Sequence, residues 1–186
     1  FFWDVNGDGA YEWSGPNLKT LNNTFGPGRH TVSLRVTNSL GQEATAVRPA
    51  IIRVSTPTIY VSPSGTNGYP YATWASAATN LNDAADAIQD GAVVWVADGE
   101  YPVDRPVSLV NSCVVQSVNG RDAVLIRPLE TNVHRLVYLS HTNALFTGFT
   151  VSNGAALALQ YVGNGPIANG CDRGGGIWIH GRDYLT

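Results

Sequence analysis

Asp4, Asn6 and Asp8 occupy alternate positions in Asp4-Val5-Asn6-Gly7-Asp8-Gly9, and Glu12 comes shortly after. Calcium is a hard cation that takes about six to eight oxygen ligands, and alternating Asp/Asn with a glycine for the sharp turn supplies them. The Ala10 carbonyl adds another oxygen. Asp4, Asn6, Asp8 and Glu12 are therefore the candidate calcium ligands. An EF-hand would place a bidentate glutamate where this chain has Gly15, so the loop is not an EF-hand. The competing reading is a tight turn at Asn6-Gly7-Asp8-Gly9 that needs no ion.

Acid–base chemistry on a sugar polymer would need other residues. A glycoside hydrolase uses carboxylates held roughly 5–9.5 Å apart, depending on mechanism. The candidates are Asp98, Glu100, Asp104, Asp122, Glu130, Asp172 and Asp183. Most stand at turn positions, where Asp is ordinary. None forms an Asp-x-Asp or paired-Asp arrangement on a strand. Asp172-Arg173, beside a glycine run, is the least ordinary pair. His134, His141 and His180 are irregularly spaced and read as surface or turn histidines. No catalytic residue is assigned. Cys113 and Cys171 lack metal-ligand spacing and read as two buried thiols, with one disulfide as the alternative. Asn22-Asn23-Thr24 fits the glycosylation pattern, a match too common to carry weight.

These residues are positioned by short strands and many turns. Charged residues make up 13% of the 186-residue chain, below the usual quarter, and there are 20 glycines. The net charge of -3 comes without a basic block, which argues against nucleic acid. No apolar run is long enough to span a membrane, and there is no signal peptide. The chain opens in a strand-like run without an initiator Met. It stops inside a strand-and-turn pattern, and so reads as a piece of a longer protein.

The expected fold is mainly β, in three parts. In residues 1–55, His30–Thr37 alternates strictly, with Val32, Leu34 and Val36 on one face. Gln42–Val47 and Ile51–Val54 read as closing strands. Short antiparallel strands at this spacing fit a β-sandwich. Residues 56–90 form a linker and cap. Within them Asn80–Gln89 is helical, with Leu81, Ala84, Ala85 and Ile88 on one face and Asn80 as N-cap. This helix, helped by Tyr71 and Trp74, is expected to cover the open end of the strands beyond Gly91. The alternative for the two aromatics is stacking against sugar. In residues 91–186, apolar β-branched runs alternate with Gly/Asn turns. Val93, Val114 and Leu136 each open a strand, at spacings of 21 and 22. Even spacing suggests stacked coils rather than a closed sandwich. Ala155–Arg173 breaks the rhythm and reads as an extruded loop.

Two resemblances emerge from these phrases. Trp3-Asp4-x-Asn6-Gly7-Asp8-Gly9, with Phe25-x-x-Gly28-x-His30-x-Val32-x-Leu34-x-Val36-x-Asn38-x-x-Gly41, resembles the second half of a PKD domain. That resemblance implies a partial immunoglobulin-like sandwich, used as an extracellular spacer or binding module. Tyr60-Val61-Ser62, the helix, and Gly91–Tyr101 are similar to the start of right-handed parallel β-helix domains. So are Gly148–Gly154 and Gly174–Ile179. Those domains belong to the pectin-lyase-like superfamily and to large bacterial surface proteins. The resemblance implies a capped, incomplete β-helix in a secreted or cell-surface protein, a non-catalytic stalk for adhesion or glycan contact. The alternative it leaves open is the start of a polysaccharide lyase or glycoside hydrolase whose active coils lie beyond Thr186.

Overall fold

A computed structural model of the chain describes residues 1–129, 135–155 and 176–179. The protein is mainly β, with fourteen strands and one helix among the described residues. It divides into two compact units, Phe1–Ser55 and Thr56–Thr186.

The first unit is one antiparallel sheet, ordered β2-β1-β3-β4. Its strands are β1 (Phe2–Asp4), β2 (Trp13–Ser14), β3 (Gly28–Thr37) and β4 (Glu43–Val54). The two closing strands expected from sequence are a single strand, β4, which pairs with β3 along its length. An irregularity between His30 and Val32 absorbs the misfit, and Ala50 there takes a positive φ of 48°. Thr31 Oγ1 accepts from the Ala50 amide at 3.1 Å. The β3–β4 turn closes on Asn38, whose side-chain oxygen accepts from the Leu40 and Gln42 amides. All four strands of Phe1–Ser55 belong to this one sheet. The buried residues of its strands are polar, Asp4 and Ser33, and Val32, Leu34 and Val36 are only partly buried. Arg35 lies over the rings of Phe2 and Tyr11, at 4.5 and 4.7 Å from their centroids.

The second unit contains three sheets of parallel strands. One holds β5 (Thr58–Val61), β6 (Ala92–Val96), β9 (Cys113–Ser117) and β12 (Ala144–Thr147). Another holds β7 (Gly99–Val103), β10 (Val124–Pro128) and β13 (Thr150–Val151). The last holds β8 (Val107–Leu109), β11 (Val137–Leu139) and β14 (Ile177–Ile179). From β6 onward, consecutive strands go to the three sheets in rotation, and each circuit lays its strands beside those of the circuit before.

Strand side chains alternate between faces, so every second residue enters the interior. Ile59, Val94, Val115 and Phe146 fall in one ladder. Tyr101, Ile126 and Val151 form another. Val107, Val137 and Ile177 form a third. Like side chains stack on like, and the first two circuits are almost entirely buried along these ladders. Gly120, at φ +88°, and Asn153, at φ +60°, take the left-handed turn positions that suit Gly and Asn.

The expected rhythm needs correction. Val93 and Val114 are register partners, but the run after Leu136 is not the next rung of their sheet. Val137–Leu139 pairs with Val107–Leu109, and the rung above Cys113 is Ala144. Strands of all three sheets carry the same apolar β-branched composition, so spacing alone does not tell one sheet from another. Thr58–Val61, assigned from sequence to the linker and cap, is a full rung beside β6.

The helix α1 (Leu81–Ala87) is capped as expected, the Asn80 side chain accepting from the Asp83 amide at 2.7 Å. Leu81, Ala84, Ala87 and Ile88 are buried, while Ala85 is only partly so. Ile88 lies just past the helix in extended backbone and still reaches the core. The helix packs against β8, β5 and β7. Buried Asn82 fixes it there, its Nδ2 donating to the carbonyls of Arg105 and Pro106 at 3.2 and 3.4 Å. Arg105 and Asp86 add an ion pair at 2.7 Å on the exposed side.

Candidate functional site

The acidic loop forms because β1 ends at Asp4 and the chain must turn at once. Gly7, at φ +80°, makes that turn, and a Cβ there would come within 2.9 Å of Thr31 Cβ. Asp4 is buried and its carboxylate is the centre of the loop. Oδ1 accepts from the amides of Gly7 (2.6 Å) and Asn6 (3.3 Å). Oδ2 accepts from the Gly9 amide (3.0 Å) and Ser33 Oγ (3.4 Å). Burial pushes the Asp4 pKa up, but the hydrogen bonds from Gly7, Gly9, Asn6 and Ser33 together outweigh it, and the net shift is downward.

The structure brings the predicted ligands together. Carboxylate oxygens of Asp4, Asp8 and Glu12 lie within 4.8 Å of one another. Asp8 Oδ1 accepts from the Ala10 amide at 2.7 Å, and Oδ2 from Asn6 Nδ2 at 3.1 Å. Asn6 Oδ1 accepts from the Asp8 amide at 2.8 Å. Glu12 reaches back to the Val5 amide at 2.8 Å. A carboxylate offers about four lone-pair sites. All four on Asp4 are engaged, whereas the exposed Asp8 and Glu12 keep open positions. The donor set is hard oxygen, the ligand type calcium takes, with Asp8, Glu12 and Asn6 exposed and Asp4 anchoring the loop, so water would have to complete the shell of any ion held there.

Among the described residues, the carboxylates of the second unit do not converge. Glu100 forms an ion pair with Arg127, and Asp122 lies 3.7 Å from Arg121. Asp98 accepts from Asn119, and Asp104 is exposed. Glu130, Asp172 and Asp183 lie outside the described residues, as do Arg173, His134, His180, Cys171 and the loop from Ala156 to Arg173. Among the described residues, Asp4, Asp8 and Glu12 are the one acidic grouping close enough to share a metal ion. His141 serves a turn, accepting from the Asn143 amide at 3.1 Å. Cys113 is a free buried thiol; burial, with the charge of Asp90, pushes its pKa up and leaves it a poor nucleophile.

The two cap aromatics part company. Tyr71 is buried in the core, at 3% exposure. Trp74 is 44% exposed and rests against Tyr60, with ring centroids 4.6 Å apart. It lines an open cleft of about 560 Å³ together with Ser62, Pro63, Ser64, Ala97, Asp98, Val118 and Asn119. Asp98 and Asn119 come from successive circuits, and the Asn119 amide nitrogen stands 3.0 Å from each Asp98 oxygen. Sequence reasoning read Asn119 as a turn residue and not as part of a site. The signal was present, because Asp98 and Asn119 have the same spacing as the register partners Val93 and Val114. No protein-family model, curated protein or solved structure matches the chain.

Proposed function

We propose that this chain is a non-catalytic part of a secreted or cell-surface bacterial protein. In this reading a PKD-like, immunoglobulin-type spacer is followed by a right-handed parallel β-helix that makes adhesive or glycan contact. The observation that carries the reading is the rotation of consecutive strands through three parallel sheets, circuit upon circuit. Such a stack presents a long, rigid outer surface rather than one deep pocket. Calcium belongs to the same reading, held by Asp8, Glu12 and Asn6 around the Asp4 anchor. It would hold the loop closed and supply no chemistry beyond that.

The test is retention without turnover. The protein is run through gels containing neutral or uronic-acid polysaccharides, and the same polymers are assayed for cleavage. Retardation by at least one polymer is expected, with no new reducing ends and no unsaturated product absorbing in the ultraviolet. Either product would replace the adhesive reading with the lyase or hydrolase one.

A further inference from the structure

We infer that the cleft beside Trp74 is a subsite for a neutral sugar chain, an assignment that rests on the glycan-contact reading and locates it. The shape and chemistry of the cleft point there together. Its volume of about 560 Å³ falls within the roughly 300–1,000 Å³ typical of small-ligand sites, room for a short oligosaccharide. One wall is the Trp74 ring, fixed by Tyr60 and still 44% exposed. A pyranose has one face rich in C–H groups, and it buries that face on an aromatic ring while its hydroxyls reach polar groups at the side.

Those polar groups are present. Asp98 accepts from Asn119 with two of its lone-pair sites, and the rest can take sugar hydroxyl protons. Ser62 and Ser64 also line the cleft with their hydroxyls 2.9 Å apart, and the exposed Ser64 can donate or accept. Pro63, Ala97 and Val118 complete an apolar floor, Val118 being 46% exposed. Contrast with Tyr71 sharpens the point, since that ring, three residues earlier, is buried.

Charge selects the class of sugar. Among the described residues, Asp98 is the one charged residue lining the cleft. A uronate would meet this carboxylate with no Lys or Arg to compensate, so the ligand is a neutral glycan.

Isothermal titration calorimetry on the whole chain tests the assignment. The probes are β-linked glucan, mannan and xylan hexasaccharides, with a galacturonic acid hexamer as the anionic control. At least one neutral probe is expected to bind saturably. Trp74→Ala should weaken it by about tenfold or more, and Trp74→Phe should restore most of the loss. Val118→Arg, at an exposed position of the cleft lining, should abolish binding with an unchanged unfolding midpoint. Unchanged affinity in Trp74→Ala and Val118→Arg would overturn the subsite while leaving glycan contact to another surface. Preference for the galacturonic acid hexamer would overturn the neutral assignment. Absence of binding to any probe, together with no retention on any polymer, would overturn the subsite and the glycan-contact reading together.

Discussion

Asn119 stands one rung above Asp98, its side-chain nitrogen 3.0 Å from both carboxylate oxygens. The contact exists because β6 and β9 run parallel in fixed register, so equivalent turn residues stack. Asn119→Asp would place two carboxylates directly over each other. Like charges on neighbouring strands are destabilising, by up to about 1 kcal/mol at an exposed site. The thermal midpoint should fall relative to Asn119→Ala, and the gap should shrink in high salt, where exposed charges are screened. A gap that ignores salt would mean the two turns do not stack.

Asp4 predicts an acid-sensitive first unit. Its folded pKa lies below its ordinary value of 3.8, so at low pH the unfolded chain takes up the proton first. The stability it contributes is fully present above 3.8. That stability is lost as pH falls through the lower, folded value. Asp4→Ala should remove the acid dependence and lower stability at neutral pH, because the amides of Gly7 and Gly9 and the Ser33 hydroxyl lose their acceptor. Of these donors Ser33 is buried, and a buried donor left unpaired costs about 1–3 kcal/mol, while the exposed Gly7 and Gly9 amides can turn to water at less cost. Denaturation followed by the tryptophan fluorescence of wild type and of Trp3→Phe, whose difference reports on Trp3, checks both effects across acid pH.

Calcium binding should be weak and confined to the loop. Calorimetry is expected to find one site with Kd of about 10⁻⁴–10⁻³ M, the range of extracellular modules. Asp8→Ala should lose it while keeping the loop, because Asp4 still closes the turn. Wild-type protein that gives no heat with calcium would leave the loop as a hydrogen-bonded turn.

The cap helix should carry much of the second unit's stability. Leu81 is 2% and Ile88 9% exposed, both in the main core. Truncating a buried Leu or Ile to Ala costs about 2–5 kcal/mol, out of the roughly 5–15 kcal/mol of a typical domain. Ile88→Asp should cost more, since it places an unpaired charge there. Chemical denaturation should show a large drop in midpoint and aggregation through uncovered strands. A shift under about 0.5 kcal/mol would mean the helix lies loosely on the surface.

Local signals were the ones legible in the sequence. Asn80 as a cap, Leu81 and Ala84 as a buried stripe, and the closing of Asp4, Asp8 and Glu12 on one loop all depend on residues a few positions apart. The split between Tyr71 and Trp74 was not legible, because Tyr71 joins a core built from strands far along the chain while Trp74 rests outside it on Tyr60. The third rung was misplaced for a related reason. Leu136 and Ala144 both begin apolar runs, and only long-range pairing decides which of them comes after Cys113. Asn82 was also missed, since a polar residue on a helix gives no sign that its partners are carbonyls at Arg105 and Pro106.

Nuclear Overhauser contacts between side chains on successive circuits test the stacked-strand account most directly. In uniformly labelled protein, the methyl groups of Val94 and Val115, and of Leu109 and Leu139, should show strong cross-peaks, as should the ring of Tyr101 with Ile126. All three pairs are register partners within parallel sheets. Their absence, with strong contacts instead between antiparallel neighbours such as β6 and β7, would contradict the stack and every function assigned to its surface.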